Sequence, residues 1–247
     1  MSHINPFSRL PRQHPSFTRR AARAAASCVI VALGACSVGS SVEPGPSLTP
    51  AAIAVSGGAQ TGAAGNTLPI PVIVRVTDPS GMPVSFATVS FAPVASSGAV
   101  NVPTLLTDTT GSAGVLWTLG TAPGVDSLTV TVTGLPAITV TATVTPGAPD
   151  TITIVTGDAQ SAPAGTALST PLAIRIADKF GNAVANANVS WSSDANGAFS
   201  SAGAVTDAGG RAQAIYTLGA TAGLQHVTVV VSTAAGAILT VFSETGT

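Results

Sequence analysis

Residues 51–147 and 150–247 carry one pattern written twice, and the duplication sharply limits what the chain can fold into. Ala59-Gln60 returns as Ala159-Gln160, and Arg75 through Asp78 returns as Arg175 through Asp178. Gly81 and Val84 match Gly181 and Val184, and Val89-Ser90-Phe91 matches Val189-Ser190-Trp191. The offset then drops from 100 to 99, so that Thr107-Asp108 matches Thr206-Asp207 and Thr118-Leu119-Gly120 matches Thr217-Leu218-Gly219. Solenoid repeats run about 20–50 residues. A unit of nearly 100 is large enough to hold a core of its own. The expected organisation is therefore two tandem domains, 51–147 and 148–247, behind a leader at 1–35 and a tether at 36–50. The joint, Thr145-Pro146-Gly147-Ala148-Pro149, is short and Pro-rich, which predicts semi-rigid end-to-end stacking.

Within each unit the period is two. Val72, Val74 and Val76 alternate with Ile73, Arg75 and Thr77, and Leu128, Val130 and Val132 alternate with Thr129, Thr131 and Thr133. The second copy repeats this with Leu172, Ile174 and Ile176, and with Val227, Val229 and Val231. Alternation built on β-branched residues predicts half-buried strands. About seven strands per unit, with no helix, predict an all-β chain of two tandem immunoglobulin-like β-sandwiches. Threonine on the solvent face keeps β propensity and stays wettable, which accounts for a chain only 8% charged yet 45% hydrophobic. Such low charge excludes a nucleic-acid binder working by phosphate neutralisation, a charge-driven disordered tail and a charged coiled coil.

Turns punctuate the strands at Asp78–Gly81, Asp108–Gly111, Asp178–Gly181 and Asp207–Gly210. Asp at the first position can accept bonds from the turn's own N–H groups, and Gly at the fourth permits positive φ. These eight residues are read as structural. The run Ile174 to Val184, then Ala187-Asn188-Val189-Ser190-Trp191, then Thr206 to Ala212, resembles the bacterial Ig-like group 1 (Big-1) domain, the stalk module of invasin- and intimin-type adhesins. The first copy departs from it at Met82, which stands opposite Asn182, and at Pro79. The resemblance implies tandem β-sandwiches and a role in cell-surface adhesion. The family's membrane barrel and lectin-like tip have no counterpart in this sequence.

The near-neutral charge conceals two populations. Five arginines and no acid precede Cys36, whereas four basic residues and all ten acids follow it. Arg19, Arg20 and Arg23 lead into a twelve-residue apolar run, Ala24–Ala35, too short for the roughly 20 residues of a transmembrane helix. The run ends in Leu33-Gly34-Ala35-Cys36, which resembles the lipobox of bacterial lipoproteins. That resemblance implies a signal peptide at 1–35, lipidation of Cys36 and a membrane partner through the acyl chains. Ser37 favours the outer membrane by the same resemblance. The competing reading is a plain secretory signal. Cys28 lies in the leader, so the exported body would hold no free thiol. Residues 37–50 are rich in Ser, Pro and Gly and are read as a flexible tether.

Little chemistry is visible in the body. His226 is its one histidine, read as an outward-facing strand residue, so no catalytic residue is expected and the protein is not read as an enzyme. The aspartates stand singly and lack the clustering calcium requires, so neither metal nor cofactor is expected. Phe91 with Trp191 and Trp117 with Tyr216 repeat in register and are assigned to the cores. Phe180, at a turn tip, is the candidate ligand contact, with Lys179 and Asn182 beside it. The expected partner is a protein or polysaccharide at the cell surface. The alternative is an envelope spacer with no specific ligand.

Overall fold

The computed structural model describes residues 48–247. The leader, Cys36 and most of the tether lie outside the described residues. The first half contains β1 (Ala52–Ser56), β2 (Gln60–Ala63), β3 (Val72–Thr77), β4 (Thr88–Pro93), β5 (Ala99–Val100), β6 (Thr104–Leu106), β7 (Ser112–Val115), β8 (Trp117–Thr118), β9 (Gly124–Val132) and β10 (Ile138–Thr145). The second half repeats the series with β11 (Thr151–Thr156), β12 (Ser161–Ala162), β13 (Leu172–Ala177), β14 (Asn188–Ser193), β15 (Ala198–Phe199), β16 (Gly203–Val205), β17 (Arg211–Ala214), β18 (Tyr216–Thr217), β19 (Gly223–Thr233) and β20 (Gly236–Gly246). No helix occurs among the described residues.

Each half is a sandwich. In the first, a sheet ordered β1-β3-β7 faces a sheet ordered β2-β10-β9-β4-β6, and β5 pairs with β8. In the second, β11-β13-β17 faces β12-β20-β19-β14-β16, and β15 pairs with β18. All named pairs are antiparallel except β2 with β10 and β12 with β20, which run parallel. Ten strands per half exceed the seven expected from the sequence. The surplus arises because the first strand breaks and its second part crosses to the other sheet. A second break, at exposed Leu116, separates β7 from β8.

The alternating residues are the cores. Val72, Val74, Val76, Val89, Phe91, Leu128, Val130 and Val132 are buried in one cluster. Leu172, Ile174, Ile176, Val189, Val227, Val229 and Val231 are buried in another. Burying each such side chain stabilises by about 1.5–3 kcal/mol. Trp117 and Tyr216 lie inside as well, each with its polar atom bonded. Trp117 Nε1 donates to the Ser97 carbonyl at 2.8 Å, and the Tyr216 hydroxyl donates to Gln225 Oε1 at 3.0 Å. Trp191 packs between Phe199 and Phe242, with ring centroids 6.4 and 6.1 Å away.

The repeated polar residues hold the loops by the same bonds in both halves. Thr107 Oγ1 donates to the Val84 carbonyl at 2.6 Å and accepts from Ala87 N at 2.9 Å. Thr206 does the same with Val184 and Ala187, at 2.7 and 2.9 Å. Gln60 closes the break between β1 and β2: its Nε2 donates to the Gly57 and Ile70 carbonyls, and its Oε1 accepts from Ile70 N. Gln160 reproduces this with Gly157 and Thr170.

Candidate functional site

Asp178 opens the turn between β13 and the loop leading to β14. Its Oδ1 accepts from Phe180 N and Asn182 N, both at 2.9 Å. Its Oδ2 accepts from Asn182 Nδ2 at 2.9 Å and from Gly147 N, in the linker, at 2.8 Å. Burial pushes this carboxyl up, but the Gly147 and Asn182 donors outweigh it and hold the group below the ordinary aspartate range. Asn182 Nδ2 also donates to the Thr121 carbonyl of the first sandwich at 2.8 Å.

Phe180 projects from the same turn onto Gly65 of the first sandwich. A β-carbon added at Gly65 would lie 2.5 Å from Phe180 Cζ, so the ring occupies the space that a side chain there would need. Lys179 Nζ sits 4.8 Å from the centroid of the Phe180 ring, a cation–π contact. The ring stays 40% exposed. Ala63, Asn66, Gly147, Asp150, Lys179 and Thr233 line a shallow cavity of about 300 Å³ beside this contact. The three residues marked from the sequence as ligand contacts are thus brought together: Phe180 and Asn182 touch the neighbouring sandwich, and Lys179 lies against the Phe180 ring.

The other marked turns are built alike. Asp78 Oδ1 accepts from Ser80 N, Ser80 Oγ and Met82 N, and Asp108 Oδ1 accepts from Thr110 N, Thr110 Oγ1 and Ser112 N. The Ser80 hydroxyl beside Asp78 and the Thr110 hydroxyl beside Asp108 hold both carboxyls below the usual range. Asp207 Oδ1 accepts from Gly209 N and Arg211 N. Gly81, Gly111, Gly181 and Gly210 all have positive φ, between 72° and 84°. Among the described residues no group of three or more His, Cys, Asp or Glu side chains is placed to hold a metal ion.

Two pairings were not read from the sequence. His226 Nδ1 lies 2.9 Å from Asp194 Oδ2, and Asp194 Oδ1 accepts from His226 N at 2.8 Å. These His226 donors, the backbone one first, lower the Asp194 carboxyl. Glu244 is fully buried where β20 meets β19, opposite Gln225. Its Oε2 accepts from Gln160 N at 2.7 Å, while its Oε1 has no hydrogen-bond partner. Burial pushes this carboxyl above the ordinary glutamate range, and nearby Asp158 adds to the rise against the Gln160 bond.

No family model matches the chain, and no curated protein matches it. Solved structures do. The Escherichia coli adhesin FdeC superposes with a TM-score of 0.51 at 20% identity, over 79% of this chain and 64% of that one. The Yersinia pseudotuberculosis adhesin InvE covers 78% of this chain at 21% identity, with a TM-score of 0.37, and 58% of InvE is matched. Invasin, a bacterial integrin-binding protein, covers 77% at 21% identity with a TM-score of 0.36, and 38% of it is matched. The chain therefore spans under two thirds of each of these proteins. The FdeC superposition shows a shared fold, an Ig-like sandwich.

Proposed function

We propose that the chain is a non-catalytic, exported protein, anchored to the outer membrane by acyl chains on Cys36, whose two Ig-like domains act in adhesion or interaction at the cell surface. The observation that carries this reading is the joint at Asp178–Asn182. One turn bonds the linker and an opposing carbonyl and packs its ring onto a bare glycine, which suits a module that must hold its far end away from its anchor. The ligand, in this reading, is a surface protein or polysaccharide met by loops other than 178–182. The FdeC fold and the Leu33–Cys36 box support the reading.

A second reading is favoured by the same joint. Phe180 and Asn182, the side chains best suited to a ligand, couple the sandwiches instead, as in an envelope spacer with no ligand of its own. Cells expressing the wild type and Cys36→Ser decide the anchor. Radiolabelled palmitate should enter the first and not the second, and only the first should stay with membranes. Unchanged membrane retention of the variant would sink the anchor. Protease shaving of intact cells decides the surface. Digestion of the body supports adhesion, whereas protection places it inside the envelope.

A further inference from the structure

The tether end of the first sandwich differs from its counterpart in the second in a way the shared template does not require. There the chain enters β1, with Ala51 N bonded to the Thr77 carbonyl, and there the Asp78–Met82 turn and the 83–87 loop gather. In the second sandwich, the equivalent end meets protein through Asn182. In the first, position 82 is Met, 58% exposed, and position 86 is Phe, 75% exposed, where the second sandwich has Asn182 and Asn186.

Phe86 has φ 58° and Asn186 φ 57°. Asn tolerates this left-handed conformation because its short amide bonds locally, whereas a bulky side chain there is an outlier. The backbone is imposed by bonds common to both halves. Phe86 N donates to the Thr107 carbonyl and Asn186 N to the Thr206 carbonyl, and the hydroxyls of Thr107 and Thr206 grip the flanking residues identically. The loop needs no Phe to form, and the ring is left largely in solvent. Leu106, 57% exposed opposite Thr88, has its counterpart in Val205, 58% exposed opposite Asn188, so the difference between the two ends rests on Met82 and Phe86.

We infer that this end of the first sandwich rests on a lipid surface, with Phe86 and Met82 entering the boundary between headgroups and acyl chains. The inference rests on the lipid-anchored reading. The length of chain ahead of this end limits how far an acylated Cys36 can lie from it: residues 37–50 reach at most about 45 Å at roughly 3.3 Å per residue. Apolar side chains on a module already held near a bilayer add a second attachment to the acyl anchor. Arg75, on the strand leading into the turn, is the nearest basic residue; none lies between 78 and 111, and Asp78 and Asp108 flank the site, so with no basic cluster the surface suited to it is zwitterionic, not anionic.

The test uses the chain from Cys36 onward, coupled through that thiol to a maleimide phospholipid in phosphatidylcholine vesicles. The anchor is thereby supplied whether or not cells acylate Cys36. Palmitate labelling in cells judges the anchor separately. Phe86→Trp is compared with Asn186→Trp, over the constant background of Trp117 and Trp191. Lipids brominated on their acyl chains should quench Phe86→Trp several-fold more than Asn186→Trp, and its emission should shift to the blue. Adding Met82→Asn to Phe86→Trp should reduce the quenching. Equal quenching of the two tryptophans overturns the inference. So does a blue shift that depends on protein concentration and not on lipid, which would assign Phe86 to a contact between copies.

Discussion

Phe86 and Asn186 hold one backbone conformation with two side chains, and the difference can be measured. Phe86→Asn should stabilise the soluble chain, without lipid, by about 1 kcal/mol, because it removes a left-handed bulky residue. Chemical denaturation checks this. Glu244 makes the opposite kind of liability, a buried carboxyl with one oxygen unbonded. Its pKa is raised, so between about pH 4.3 and its native value the folded chain binds more protons than the unfolded one. Stability from this group is present in acid and is lost as pH rises through that window. Asp78, Asp108, Asp178 and Asp194 behave oppositely. Their contribution is present above about pH 3.9 and is lost as pH falls through their lowered native values. Thermal melts across pH should therefore show declines on both sides. Glu244→Gln should flatten the alkaline-side decline and stabilise at pH 7 by about 1 kcal/mol. An unchanged profile would mean the carboxyl is solvated.

At the scale of elements, the glutamine clamps fasten β2 and β12 at the points where the chain changes sheet. Gln160→Ala removes three hydrogen bonds and leaves the Thr170 N–H and the Gly157 and Thr170 carbonyls to other partners, at a cost of about 1–3 kcal/mol. Hydrogen exchange should show the loss first at β12 and at its partner β20. The strands themselves were legible in the sequence, since alternation at Val72–Val76 or Val227–Val231 is local and burial follows from it. The clamps were visible only as the repeated Ala-Gln, because each joins a carbonyl three residues back to atoms ten residues on, across a bend. Gln225 and Glu244 were hidden for a different reason. The β19–β20 hairpin is longer than β9–β10, so Glu244 falls opposite Gln225 where the first sandwich pairs Ala142 with Asp126, and a fixed offset misses the match.

For the whole molecule the decisive contact is between residues 65 and 180, whose separation in sequence conceals it. A turn tip bearing Phe, Lys and Asn reads as an exposed contact surface, and only the folded joint shows the first sandwich beneath it. Phe180→Ala combined with Asn182→Ala should leave each core intact and loosen the coupling. Calorimetry should then resolve two unfolding transitions more widely separated than in the wild type, and small-angle scattering should report a broader distribution of lengths. Unaltered scattering would mean that the linker alone sets the geometry.

The parallel pairing of β2 with β10 bears on how such a module meets mechanical load. A pull applied between the two ends of the first sandwich draws β2 by its leading end and β10 by its trailing end. Because the two strands run the same way, the load slides them past one another. Their ladder bonds lie across the pull and resist together, whereas an antiparallel hairpin drawn open from its ends would surrender its bonds one at a time. The same arrangement, with β12 beside β20, recurs in the second sandwich, so each module meets traction in shear.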